Sequence, residues 1–272
     1  STLPVVMITK SEEESIMEDA IGSQISDYLI KPVNPNQILL TLKKHLENRR
    51  LVNEKTTSNY QQEFRQLAMD LAMVRDIEGW EQLFKRLTYW ELELDKLEDE
   101  SLNEILRSQK SEANAQFFRF VQNNYEDWFA YPEDAPIMSH TLVQNWVRPS
   151  LDKDQPFFLV VIDNLRYDQW KVIQPEIEKY FSIEEDRTYW SILPSATQFA
   201  RNSLFAGLMP AEIKKRFPDK WVEDNEDDEG KNNYEADFFA DNLKRLGFGS
   251  RSMGYEKVTN HNYGKKLSEN LN

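Results

Sequence analysis

Hydrophobic and polar positions divide the chain into three stretches with different periods. In residues 1–50 short apolar runs alternate with amphipathic ones. "LPVVMIT" reads as a strand, and "KSEEESIMEDAIGS" as a helix opened by Ser11 and Glu14 in capping-box spacing and stopped at Gly22. "DYLIKP" reads as a second strand, and "NPNQILLTLKKHLENRR" as an amphipathic helix whose basic end suits the helix dipole. Strand, helix, strand and helix at this spacing predict a parallel α/β sheet.

Residues 51–150 change period. Apolar side chains recur at helical spacing in four sets: Phe64, Leu67, Leu71 and Val74; Leu83, Leu87, Trp90 and Leu94; Leu102, Ile105 and Leu106; Phe117, Phe120, Val121 and Tyr125. This predicts an all-helical bundle or connector whose aromatics are core. "YPEDAP" at 131–136 then breaks the pattern.

From about residue 155 the α/β alternation returns. The run "PFFLVVID" predicts a strand buried on both faces, followed by a helix over 166–181. "RTYWSIL" predicts a further strand, and "SATQFARNSLFAG" and "ADFFADNLKRLGF" predict two further helices. The acidic run "EDNEDDE" at 223–229 reads as a solvated loop. The expected domains are therefore 1–50, 51–150 and 151–272.

Composition narrows the class. Apolar residues make up 40% of the chain, with fifteen Phe, eleven Tyr and seven Trp, which predicts packed structure. No apolar run reaches membrane-span length, so no membrane insertion is expected, and cytoplasmic location is the natural expectation. The lack of cysteine excludes disulfides, thiolate metal sites and thiol nucleophiles. A net charge of −14 and the lack of a basic recognition helix argue against a DNA-binding module.

Two places carry candidate chemistry. Thr9 and Lys31 close the first two predicted strands, so a hydroxyl and an ammonium meet where ligands of parallel sheets gather. Asp163 ends the most apolar predicted strand, where a carboxylate needs a partner: a metal, an ion pair, or a helix N-cap role. Ser195 and Thr197 open a helix, among backbone N–H groups that favour a phosphate or simply accept a cap. A Thr nucleophile there needs a base or a metal to activate it.

"LPVVMIT" followed by "DYLIKPVNPNQIL" resembles the last two strands and helices of a two-component receiver domain. The resemblance implies that Thr9 contacts the phosphoryl group, Lys31 pairs with the phosphoaspartate and Tyr28 switches rotamer, with Mg²⁺ in the complete receiver. The phosphoacceptor and acidic pair of that family lie upstream, and Asp19 and Asp27 are misplaced to replace them.

Pro194-x-x-Thr197, with Gly207 and Pro210 after it, is similar to the nucleophile segment of the alkaline phosphatase superfamily. "VVIDNLRYDQW" resembles its first metal-binding strand as found in PglZ domains. That resemblance implies Asp163 as a zinc ligand and Thr197 as nucleophile and ligand, with two zinc ions in the complete domain. Where some diesterase relatives carry Asn this chain has Ala200, and Arg201 beside it is a candidate for a phosphate oxygen. The superfamily's further Asp and His ligands are not matched: His45, His140 and His261 lack the required context, and His261 reads as a surface histidine. The chain is therefore expected to be cut at both ends.

Receiver part, helical connector and PglZ-type part, in this order, resemble PorX-type response regulators of the type IX secretion system. The fold class implied is a parallel-sheet receiver part, an all-helical middle domain and a partial alkaline-phosphatase-like α/β domain. The function implied is a phosphorelay regulator with a zinc-dependent phosphoesterase output, a phosphodiesterase on nucleotide or oligonucleotide substrates. Its expected partners are a sensor histidine kinase, a second copy on phosphorylation, and secretion-system or sigma-factor proteins. The alternative is a catalytically inert signalling adaptor acting through dimerisation and partner binding.

Overall fold

A computed structural model describes residues 5–10, 25–97, 99–153, 155–223 and 230–270, and no side chain is described for residues 46, 48, 49 and 270. The expected helix at 10–23 and all but Glu223 of the acidic run lie outside these residues. The chain divides into two compact units, one of residues 1–123 with 167–174 and the other of 124–166 with 175–272.

The first unit begins with β1 (Val6–Thr9) and β2 (Asp27–Ile30), which pair in parallel with Val6 opposite Asp27 and Thr9 opposite Ile30. The Lys31–Pro32 bond that follows β2 is cis. Pro35 then opens α1 (Pro35–Met73), because Asn34 and Gln37 make a reciprocal cap: Asn36 N donates to Asn34 Oδ1 at 2.9 Å and Asn34 N to Gln37 Oε1 at 3.0 Å. The helix runs on through residue 50 without interruption, joining the sheet-forming stretch to the bundle.

Helices α2 (Ile77–Asp95) and α3 (Glu100–Asn124) complete the bundle. Asp76 caps α2 by accepting from Gly79 N at 2.7 Å. Leu67 and Leu71 of α1, Leu83, Leu87, Trp90 and Leu94 of α2, and Leu102 and Leu106 of α3 are buried, as helical spacing requires. Phe64, Ile105 and Phe117, expected in the same core, are exposed. The polar contents of the core are satisfied: buried Tyr60 donates to Gln109 Oε1 at 3.2 Å, and Gln109 Nε2 donates to the Phe64 carbonyl at 3.1 Å. Burial pushes the Tyr60 phenol up to about 12.

In the second unit the short α4 (Asp127–Ala130) precedes a π-helical turn (Val143–Val147) and α5 (Arg148–Leu151). After α6 (Tyr167–Ile177), whose residues 167–174 belong with the first unit, come α7 (Thr197–Ala206), α8 (Pro210–Arg216), α9 (Glu235–Arg245) and α10 (His261–Asn270). The core gathers Leu142, Val143 and Val147 with Leu204 and Phe205 of α7, Ile213 of α8 and Phe238 of α9. Gly207 ends α7 at φ +60°, and a Cβ there would lie 2.6 Å from Asn242 Oδ1, so the position requires glycine twice over.

The sheet expected in this unit is not formed among the described residues. Residues 157–162 form no helix and pair with no strand, and their side chains lie largely in the open: Phe158 is 78% and Val160 77% exposed. Leu159 alone packs against the core. "RTYWSIL" makes a single parallel bridge, Met138 to Trp190, with Trp190 N donating to Ile137 O at 2.8 Å. The physical reason is that a strand buried on both faces needs a hydrogen-bonded neighbour on each side and a layer above and below. An apolar run supplies none of these, so the described residues of this unit form helices and one isolated bridge, without the expected strands.

Candidate functional site

Where the receiver-like stretch ends, β1 and β2 finish side by side. Lys31 N donates to the Thr9 carbonyl at 2.7 Å, which brings the two expected switch residues to one end of the sheet. Tyr28 sits half-buried on β2 opposite Met7. Its neighbour Asp27 is occupied elsewhere, 3.0 Å from His45 Nε2 and 3.2 Å from Lys44 Nζ. The His45 hydrogen bond holds that carboxyl below its ordinary range, although burial opposes the shift.

In the second unit the chemistry collects on α7. Thr197 is its first residue and is exposed, and the preceding Ala196 offers no side-chain cap. Neither Ser195 nor Thr197 therefore serves as the N-cap. The first turn keeps the donor-rich end that favours an anion. Arg201 is four residues on, hence on the same helical face.

Arg201 answers what Asp163 is doing at the end of an apolar run. Its Nη1 lies 2.7 Å from Asp163 Oδ2, and Asn164 turns the chain there at φ +59°, a conformation that Asn tolerates well. On its other edge Arg201 Nε donates to Glu235 Oε1. The Arg201 side chain is 17% exposed and the Glu235 side chain 2%. Glu235 Oε2 accepts from the Tyr255 hydroxyl at 2.7 Å and meets Lys257 Nζ at 3.2 Å. Burial, then the Glu235 carboxylate, pushes the Tyr255 phenol far above its ordinary value.

A second polar clasp holds the same helix. Asn202 donates to the Gln198 and Lys231 carbonyls at 2.8 and 2.9 Å. Asn232 Nδ2 reaches Asn202 Oδ1 at 3.0 Å and the Thr197 carbonyl at 3.4 Å. Sequence reasoning missed Glu235, Asn202 and Asn232. Glu235 reads in the sequence only as an acid in the first turn of a helix, which the dipole already explains.

The implied zinc ions are tested by these contacts. Asp163 and Thr197 are oxygen donors of a suitable kind, but Asp163 is already paired with a guanidinium, which repels a dication. Among the described residues no three His, Cys, Asp or Glu side chains gather as a metal set requires. His261 is exposed at the start of α10, and His140 stacks on Phe129 with ring centroids 6.0 Å apart. The donor set among the described residues does not fit a zinc ion as it stands, and no chemical step is derived through one.

Comparison with known families finds two matches. Residues 50–129 match the PorX response regulator linker domain, and residues 142–271 match the BREX system PglZ alkaline phosphatase-like domain. In that order the two matches fit the PorX-type architecture, a response-regulator linker followed by an alkaline phosphatase-like domain. The second match takes in Asp163, Thr197, Arg201 and Glu235. No curated protein matches the chain. Among the described residues, no helix is long and apolar enough to cross a membrane.

Proposed function

We propose that the first turn of α7 binds a phosphoryl group, and that the phosphatase-like domain is a phosphoesterase, acting as a phosphodiesterase on nucleotide or oligonucleotide substrates. The observation that carries this reading is Arg201: a largely buried cation, fixed by carboxylates on two sides, one turn from Thr197 at an N-terminal helix end. Anions are held at such ends by the N–H groups and the dipole, and a guanidinium adds charge-assisted hydrogen bonds to phosphate oxygens.

Thr197 is the proposed nucleophile. Its Oγ1 would form the bond to phosphorus while the ester P–O bond breaks, the hydroxyl proton leaving with the departing alkoxide. Water would then attack phosphorus, return the Thr197 hydroxyl and release a phosphate monoester. Zinc enters only through the family resemblance, which points to Asp163 and Thr197; Asp163 would have to leave Arg201 to bind it. Thr9, Tyr28 and Lys31 are proposed for the phosphoryl switch, a sensor histidine kinase for the phosphoryl donor, and type IX secretion for the regulated process.

A test is hydrolysis of bis(4-nitrophenyl) phosphate and of a short oligonucleotide by wild-type protein and by Thr197→Ala. Turnover lost in the variant, with an unchanged far-UV spectrum, is the expected result. Equal turnover in both, or none in either, overturns the proposal. A second reading, an adaptor that binds partners and catalyses nothing, is favoured by one observation: Asp163 is already neutralised by Arg201.

A further inference from the structure

Glu235 is the least accessible carboxylate of the site, and its environment is built around it. It opens α9, where the helix dipole favours an acid, and each of its oxygens has a donor. Oε1 takes Arg201 Nε, while Oε2 takes the Tyr255 hydroxyl and Lys257 Nζ. A carboxylate 2% exposed would be costly without such partners. With them, it becomes a fixed anionic post inside the fold.

The consequence falls on Arg201. The guanidinium is planar, so anchoring Nε on Glu235 fixes the directions of both Nη atoms. One of them meets Asp163, which is half-exposed. The remaining N–H groups belong to the Nη atoms. Asn232, three residues before Glu235, holds Asn202 and the Thr197 carbonyl, so the segment that leads into α9 grips α7 as well.

We infer that Glu235 is the positioning residue of the phosphoryl site, holding Arg201 by Nε so that its Nη groups are presented beside the first turn of α7. This rests on the proposal that Arg201 receives a phosphate. Glu235 touches no substrate and acts only through Arg201.

The test is a double-mutant cycle on binding of inorganic phosphate, followed by isothermal titration calorimetry with the full chain. Arg201→Ala is expected to weaken binding by about tenfold or more, the size of a lost charge-assisted pair. Glu235→Gln is expected to weaken it several-fold in the wild-type background and not at all in the Arg201→Ala background. A merely structural role for Glu235 would give the same loss in both backgrounds, and that result, or wild-type affinity in Glu235→Gln, overturns the inference.

Should Glu235→Gln fail to fold, Arg201→Lys tests the same positioning from the other partner. It keeps the charge but cannot span Glu235 and a ligand with a fixed fork, so it should bind several-fold more weakly, and equal affinity overturns the inference. Wild-type protein that binds no phosphate, or Arg201→Ala that binds as well as wild type, overturns the underlying phosphate reading instead.

Discussion

Helix α2 and the irregular run at 157–162 both carry large apolar side chains, and they end in opposite states. Along α2, Leu83, Leu87, Trp90 and Leu94 point to one side and are buried, Leu94 completely. Along 157–162 all the side chains but Leu159 are exposed. A helix satisfies its own backbone and needs only one covered face, which two neighbouring helices supply. An extended segment satisfies none of its backbone by itself and needs partners on four sides. Apolar content alone therefore says little about burial until the element's demands are met.

The largest effect should come from the covered side of this comparison. Leu94→Ala is expected to destabilise the first unit by about 2–5 kcal/mol, because its site is closed on every side. Phe158→Ser should change stability by no more than about 0.5 kcal/mol. Denaturant melts of the two variants check the pair, and equal losses would mean that residues 157–162 are covered in solution.

Gly207→Ala should cost about 1–2 kcal/mol from the left-handed backbone alone, with more from the contact against Asn242. A melt no different from wild type would contradict the close approach of α7 and α9.

The smallest of these effects is electrostatic. Arg86 bridges Glu63 at 2.5 Å and Asp70, and its hydrogen bond, against the opposing effect of burial, holds the Asp70 carboxyl below its ordinary value. A carboxyl lowered in the folded state stabilises fully above its unfolded value of about 4, and that contribution is lost as pH falls through the folded value. The gap in melting temperature between wild type and Asp70→Asn should thus be widest near neutral pH and close in acid. A gap that stays constant down to pH 2 would show that Asp70 contributes no charge-dependent stability.

The individual residues show why some of this was legible beforehand. The burial of Leu83, Leu87, Trp90 and Leu94 followed from spacing, because i, i+3 and i+4 side chains share a face whatever the helix packs on. The helix expected over "NPNQILLTLKKHLENRR" formed from local signals, and Asn34 and Gln37 cap it with atoms a few residues apart. Thr197 at the opening of α7 and Gly207 at its close were readable for the same reason. The strand expected at 157–162 failed because pairing depends on residues distant in sequence, and nothing in the run records whether a neighbour arrives.

Asp163 marks the boundary between the two kinds of knowledge. A carboxylate at the end of an apolar run had to have a partner, and that much followed from the cost of leaving a charge uncompensated. The partner was chosen by the fold, which brought Arg201 from thirty-eight positions away and anchored it on Glu235, thirty-four further on. Local sequence determined the helices, their caps and the demand for a counter-charge, because those depend on neighbours a turn apart. Tertiary structure decided which groups meet, because a salt bridge between distant residues exists only once the elements carrying them have packed.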